Sequence, residues 1–180
     1  MKREHTLARL PSVLCPFFAD SSMDIIIRRM VDHDIPFVAE VHRQSFTRQR
    51  ESLRWIKCNY HAAPRIQYYV AMIDSSVVGY IQWIQKSGFR PEVVLELEQI
   101  AVLPDVRGKG IGHTLIDESL LLVREQLQKD NSTLKHIMVT TRSDNFAQKL
   151  YNKTFGARVE CTIRDLFSAD EVIMIARNVE

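Results

Sequence analysis

The 180-residue chain lacks paired cysteines and any metal-ligand pattern, and each lack removes a class of function. Cys15, Cys58 and Cys161 are widely spaced with no CxxC pair. That excludes a disulfide frame and a zinc site of the usual spacing, and it fits reduced thiols in a cytoplasm. The six histidines show no HxxxH-like spacing, so no metal is expected. An excess of one charge is also missing. Against 22 Asp and Glu stand 24 Lys and Arg, a formal net charge of +2. No basic field therefore points to nucleic acid or to a membrane surface. No apolar run approaches the roughly 18 residues of a membrane span. Repeats, low-complexity tracts and linkers are absent as well.

What is present is the composition of one globular domain, 46% hydrophobic and 26% charged. Residues 1–22 begin basic and then apolar, but Arg9, Pro11 and Pro16 interrupt the apolar part and no A-x-A-like cleavage site follows. They read as an extension of uncertain order, dispensable for folding, with the domain at 23–180. From residue 24 onward strand and helix signals alternate. "DIIIRRM" is a short β-branched strand, and "DHDIPFVAEVHRQSF" spaces Ile35, Val38, Ala39 and Val41 or His42 as a helix with Asp32 or Asp34 as cap. "RESLRWIKCNY" is a second helical piece. "IQYYVAMI" and "VVGYIQWIQ" flank the turn "DSS" as a hairpin, and "VVLELEQIAVL" is a long strand. Ile116, Leu120, Val123 and Leu127 keep to one helix face, widened by Leu115 and Leu122. A strand "LKHIMVTT" precedes the short helix "NFAQKLYNKTF", with Ser143 or Asp144 as its cap and Gly156 as its stop. "ARVECTIRDLF" and "EVIMIARN" form a closing hairpin, with Cys161 as a small core residue.

Between the long strand and the amphipathic helix lies "RGKGIGH", with glycines at 108, 110 and 112. That register fits neither the Walker loop G-x-x-x-x-G-K-[ST] nor the dinucleotide fingerprint G-x-G-x-x-G. The physics still favours an anion. A helix N-terminus carries unpaired N–H groups and about half a positive charge, and glycines let phosphates approach that backbone without a Cβ in the way. Arg107 and Lys109 add counter-charge. The plainer alternative is a glycine-rich turn that only joins strand to helix.

At these residues the chain resembles the GNAT family of N-acetyltransferases. The family's acetyl-CoA loop, Q/R-x-x-G-x-G/A, is filled by Arg107, Gly110 and Gly112, after an apolar strand end at Ile100, Ala101 and Val102 and a turn with Pro104. A second pattern, N-x-x-A-x-x-L-Y-x-x-x-G-F, appears as "NFAQKLYNKTFGA". Ala147, Leu150 and Tyr151 keep its spacing, Asn145 stands one residue closer to Ala147 and Gly156 one residue further from Tyr151, and Ala157 replaces the final aromatic. The resemblance covers about residues 24–178. It implies an α/β (α+β) fold with a mixed, mostly antiparallel central sheet flanked by helices, splayed between strands four and five. It also implies acetyl-CoA as co-substrate. The pantetheine arm would lie in the splay along Ile100, Ala101 and Val102, with the backbone of Ile100 and Val102 paired to its amides. The pyrophosphate would rest on the N–H groups of Arg107, Gly108, Lys109, Gly110, Ile111, Gly112 and His113, and Asn145 would reach the pantetheine. A plain helix-surface role for His113 stays open.

The implied reaction moves the acetyl group to a primary amine, on a small molecule or a peptide, by direct attack in a ternary complex. A homodimer is compatible with it. A lysine-like amine near pKa 10.4 is neutral only about once in 10³ at pH 7, a deficit of roughly 4 to 5 kcal/mol, so a base matters. By resemblance Tyr151 is the acid for the thiolate, with buried packing as its alternative. Glu96 and Glu98 alternate on the fourth strand, which predicts a shared face. Glu98, three residues before Ala101, is the expected base through a water, the alternative being that both glutamates pair with arginines. Thr140 occupies the register where some N-terminal acetyltransferases carry a glutamate. The acceptor side is expected from the segment between strands one and two and from the last hairpin loop. Arg43, Arg48, Arg50, Arg54 and Lys57 of that segment either face the cleft or form a solvated helix face. A rival class is a non-catalytic acyl-CoA-binding regulatory module.

Overall fold

Alternating runs of β-branched and aromatic residues build one seven-stranded sheet in the computed structural model, which describes residues 24–179. The extension expected at residues 1–22 lies outside the described residues. Strands β1 (Ile26–Arg29), β2 (Ile66–Ile73), β3 (Ser76–Gln85), β4 (Glu92–Val102), β5 (Thr133–Arg142), β6 (Arg158–Ile163) and β7 (Glu171–Arg177) lie in the order β1-β2-β3-β4-β5-β7-β6. Only the β4–β5 pair is parallel; the other pairs are antiparallel. The β2–β3 turn places Asp74 and Ser75 at φ 47° and 64°, the paired positive angles that match a two-residue hairpin to strand twist.

Helices cover both faces. On one face α1 (Ile35–Ser45) and α2 (Ser52–Tyr60) bury Val38, Val41 and Ile56 against Tyr68, Val70, Tyr80 and Ala101. On the other, α3 (Ile111–Lys129) and α4 (Ala147–Phe155) bury Leu115, Ile116, Leu120, Val123, Leu127 and Tyr151 against Ile81, Trp83, Leu95, Leu97 and Ile137. Each face is a period-2 set on a strand meeting a period-3.6 set on a helix. Among the described residues, no helix is long and apolar enough to cross a membrane.

Three local expectations are corrected. Leu122 is exposed, because α3 turns its buried stripe through Leu120 and Val123 and away from this position. Cys161 is exposed, because β6 is the sheet edge and is covered on neither face. Neither Ser143 nor Asp144 caps α4. The Asn145 Oδ1 accepts the Ala147 N–H at 2.9 Å, while Asp144 takes Arg142. At the first helix Asp34 sits at the N-cap position, but its carboxylate reaches back to the Val31 N–H at 2.9 Å and makes no side-chain bond to α1 itself.

Two irregularities position the site. The β4–β5 ladder ends at Glu96↔Met138, although β4 runs on to Val102 and β5 to Arg142. Beyond that point the two strands diverge and leave their facing backbone edges without each other. Second, the β3–β4 register skips from Trp83↔Leu97 to Gln82↔Gln99, so Glu98 is the extra residue of a β-bulge.

Candidate active site

The divergence of β4 and β5 opens a cleft of about 560 Å³, within the usual range for a small-molecule site. Its walls include Glu98, Ile100, Ala101 and Val102 of β4, Val139, Thr140 and Thr141 of β5, and Leu150 and Tyr151 of α4. One end reaches Arg107, Gly108, Gly110, Ile111 and Gly112 at the start of α3; Asn145 and Phe146 border it, and Ser45 and Phe46 close it from the end of α1. Sequence positions more than a hundred residues apart are thereby brought together. Lys109 and His113 are not among the lining residues. The His113 ring instead meets Asp117, Nδ1 to Oδ2 at 2.6 Å, one helical turn on.

The glycine turn has the form an anion needs. Gly108 and Gly110 hold φ of 78° and 82°, left-handed values that cost an L-residue about 1 to 2 kcal/mol. A Cβ at either would meet nothing within 4 Å, so conformation and not crowding demands glycine there. Gly112 is different: it is helical, and a Cβ would make ordinary contact with Leu150 Cδ2 at 3.5 Å. Donors at both ends of the turn are already used. The Arg107 N–H bonds to Pro104 O at 3.3 Å and the His113 N–H to Gly110 O at 2.9 Å, which narrows the cradle to its middle. The Arg107 side chain also turns inward, donating from Nε to Val102 O at 2.8 Å and from Nη2 to Ser45 Oγ at 3.2 Å. It ties the turn to the end of β4 and to α1. Asn145 likewise spends both ends of its amide locally, its Nδ2 donating to Thr141 Oγ1 at 2.7 Å.

The two candidate proton carriers differ in environment. Tyr151 is 4% exposed, and burial pushes its phenol up to about 12. Glu98 lines the open cleft with its side chain exposed to solvent. Desolvation first, and then the negative charge of Glu96, raise its carboxyl above the ordinary range, with Lys86 opposing. Glu96 does not share this role, because its carboxylate is already engaged. It is 7% exposed and held by Lys86 Nζ at 2.7 Å and Thr140 Oγ1 at 3.2 Å. Its ion-pair partner is a lysine and not an arginine.

On the acceptor side, Arg43 pairs with Glu40 and Arg54 with Glu51, both on the solvent face. Arg48 Nη1 donates to Ser168 Oγ at 2.7 Å, so the α1–α2 segment meets the β6–β7 loop. Sequence reasoning missed the cleft aromatics Phe46 and Phe146 and a buried polar cluster around Gln99. Their only sequence signal is a glutamine inside an apolar strand, which has many ordinary explanations.

The model of the Acetyltransferase (GNAT) family matches residues 33–157. No curated protein matches the chain in sequence. Among solved structures, the ribosomal-protein-alanine N-acetyltransferase from Brucella melitensis superposes with a TM-score of 0.65 at 19% identity, over 84% of this chain and 99% of its own. The spermidine/spermine N-acetyltransferase from Vibrio cholerae gives 0.65 at 18%, over 86% and 92%. The PaiA N-acetyltransferase from Thermoplasma acidophilum, in complex with coenzyme A, gives 0.60 at 21%, over 86% and 99%. At these identities the likeness is one of fold.

Proposed function

The chain belongs to the acetyltransferase (GNAT) family, and from that premise we propose that it transfers the acetyl group of acetyl-CoA to a primary amine by direct attack in a ternary complex. The observation that carries the reading is the cleft itself. A β4–β5 divergence leads from the glycine turn at the start of α3 to a wall that holds Glu98 and Tyr151. Acetyl-CoA fits these residues. Gly108 and Gly110 leave open space where side chains would stand, and the exposed edge of β4 at Ile100 offers backbone groups to an extended amide-bearing arm. Val102 offers less, because its carbonyl already accepts from Arg107.

The chain's own groups then divide the proton work. Glu98, with its carboxyl raised by desolvation, is the base, drawing the amine's proton through a water. Tyr151 serves the leaving thiolate. A phenol near 12 giving its proton fully to a thiolate whose conjugate acid is near 8.5 is uphill by about 5 kcal/mol, so Tyr151 acts by donating a hydrogen bond to the developing charge. The acceptor amine enters between the α1–α2 segment and the β6–β7 loop. Fold neighbours that act on a protein alanine and on polyamines bracket its class as a peptide or small-molecule amine.

The deciding experiment measures coenzyme A release against a panel of polyamines, lysine-like amines and short peptides with free N-termini. Amine-dependent release is the expected result. Acetyl-CoA binding without release by any amine would overturn the enzyme reading in favour of a regulatory acyl-CoA-binding module.

A further inference from the structure

A glutamine inside a sheet core needs partners, and Gln99 has an unusual number of them. It is 6% exposed and follows Glu98 directly, so residues 98 and 99 together form the bulge opposite Gln82. Its Oε1 accepts from Tyr80 OH on β3 at 2.9 Å and from Trp55 Nε1 on α2 at 3.2 Å. Its Nε2 donates to Gln49 Oε1 at 3.3 Å. The same Gln49 oxygen meets His42 Nε2 on α1 at 2.8 Å, and His42 Nδ1 stands 2.8 Å from Ser52 Oγ at the start of α2. One proton arrangement follows from the Gln49 amide orientation. Gln49 Oε1 can only accept, so His42 carries its proton on Nε2, and Nδ1 accepts from the Ser52 hydroxyl. The two N–H donors lie 3.4 Å apart and converge on one oxygen.

We infer that Gln99 is a positioning residue that clamps the 45–52 segment to the strand bulge carrying Glu98, through Gln49 and His42. The segment begins with Ser45 and Phe46, which line the cleft, and continues to Arg48, which holds the β6–β7 loop. One side-chain amide thus links α2, β3 and, through Gln49, α1 at the residue next to the proposed base. Bulges re-aim side chains, and the direction of Glu98 depends on where its neighbour is anchored. Packing alone does not require this arrangement. An apolar residue of similar volume would fill the same space between Tyr80 and Trp55 without any link to the segment.

The inference rests on the acetyltransferase reading for its kinetic test, and a second measurement separates the two. Gln49→Leu removes the shared acceptor oxygen at an exposed position, and circular dichroism and urea unfolding check that the fold is kept. The expected result is an acceptor KM raised about tenfold, with kcat and acetyl-CoA affinity each changed less than about twofold. Gln49→Glu, which keeps an oxygen in place, should restore the parent KM. Hydrogen exchange of the amides at 45–52 should be faster in Gln49→Leu and normal in Gln49→Glu. Unchanged acceptor KM in Gln49→Leu, or an equal loss of acetyl-CoA affinity, would overturn the inference. If the parent protein turns over no amine, the enzyme reading fails and exchange alone decides: faster exchange in Gln49→Leu upholds the clamp, and unchanged exchange rejects it.

Discussion

Replacing Glu98 by glutamine keeps the shape of the bulge and removes one negative charge from the cleft. If the carboxylate takes the amine's proton, its loss leaves only amine that is already neutral to react. A general base contributes about 10² to 10⁴ in rate, and a solvent-touched one such as Glu98 belongs near the lower end, so kcat/KM for a lysine-like acceptor should fall about 10² at pH 7. The neutral fraction of that amine grows about tenfold per pH unit below pKa 10.4. The parent gains less from this rise, so the gap should close to a few-fold by about pH 9. Stability supplies a second readout of opposite sign. The folded pKa of Glu98 is raised, so the charged carboxylate opposes folding at neutral pH, and that opposition fades as pH falls through the raised value. Glu98→Gln should therefore be more stable than the parent near pH 7, with the difference narrowing in acid. Glu96→Gln is the control. It breaks the contact with Lys86 and weakens that with Thr140, and should cost stability of about 1 to 3 kcal/mol. The assays are coenzyme A release between pH 6.5 and 9.5 and urea unfolding at the same values. A pH-independent loss of activity, or a larger activity loss from Glu96→Gln than from Glu98→Gln, would refute the assignment.

Gly110→Val should weaken acetyl-CoA binding by more than about 1 kcal/mol, since φ of 82° at the start of α3 excludes a β-branched residue, whereas Gly112→Ala should bind normally; calorimetry checks both. Tyr151→Phe should keep acetyl-CoA affinity and lower kcat by about 10², the effect of losing one hydrogen-bond donor at the developing charge, and unchanged turnover would return Tyr151 to packing. His42 is fully buried, and its pKa is lowered by desolvation against the bond to Gln49. Its contribution to stability is thus present above about pH 6.5 and lost as pH falls toward its folded value, which an NMR titration of the ring should show as a midpoint below that of the exposed histidines.

The sequence by itself determined what depends on near neighbours along the chain. Ile35, Val38, Ala39 and Val41 are buried as their spacing predicts, because a helix repeats every 3.6 residues whatever it packs against. The Asp74-Ser75 turn and the glycines at 108 and 110 were legible for the same reason, since their backbone angles are set by residue type and a few adjacent bonds. The parting of strands four and five was expected only through the family resemblance, and the slip at Glu98 was not legible at all. Divergence after Glu96 and the bulge at Glu98 arise from pairing between β3, β4 and β5, which are joined through a loop of several residues and a nineteen-residue helix. Glu96 takes a lysine, and Glu98, at the skipped pairing, lines the cleft. The inward turn of Arg107 and the convergence of His42, Gln49 and Gln99 are likewise decided by distance in space. Local chemistry named the turn that can hold an anion, and the three-dimensional pairing of strands chose which carboxylate faces the space beside it.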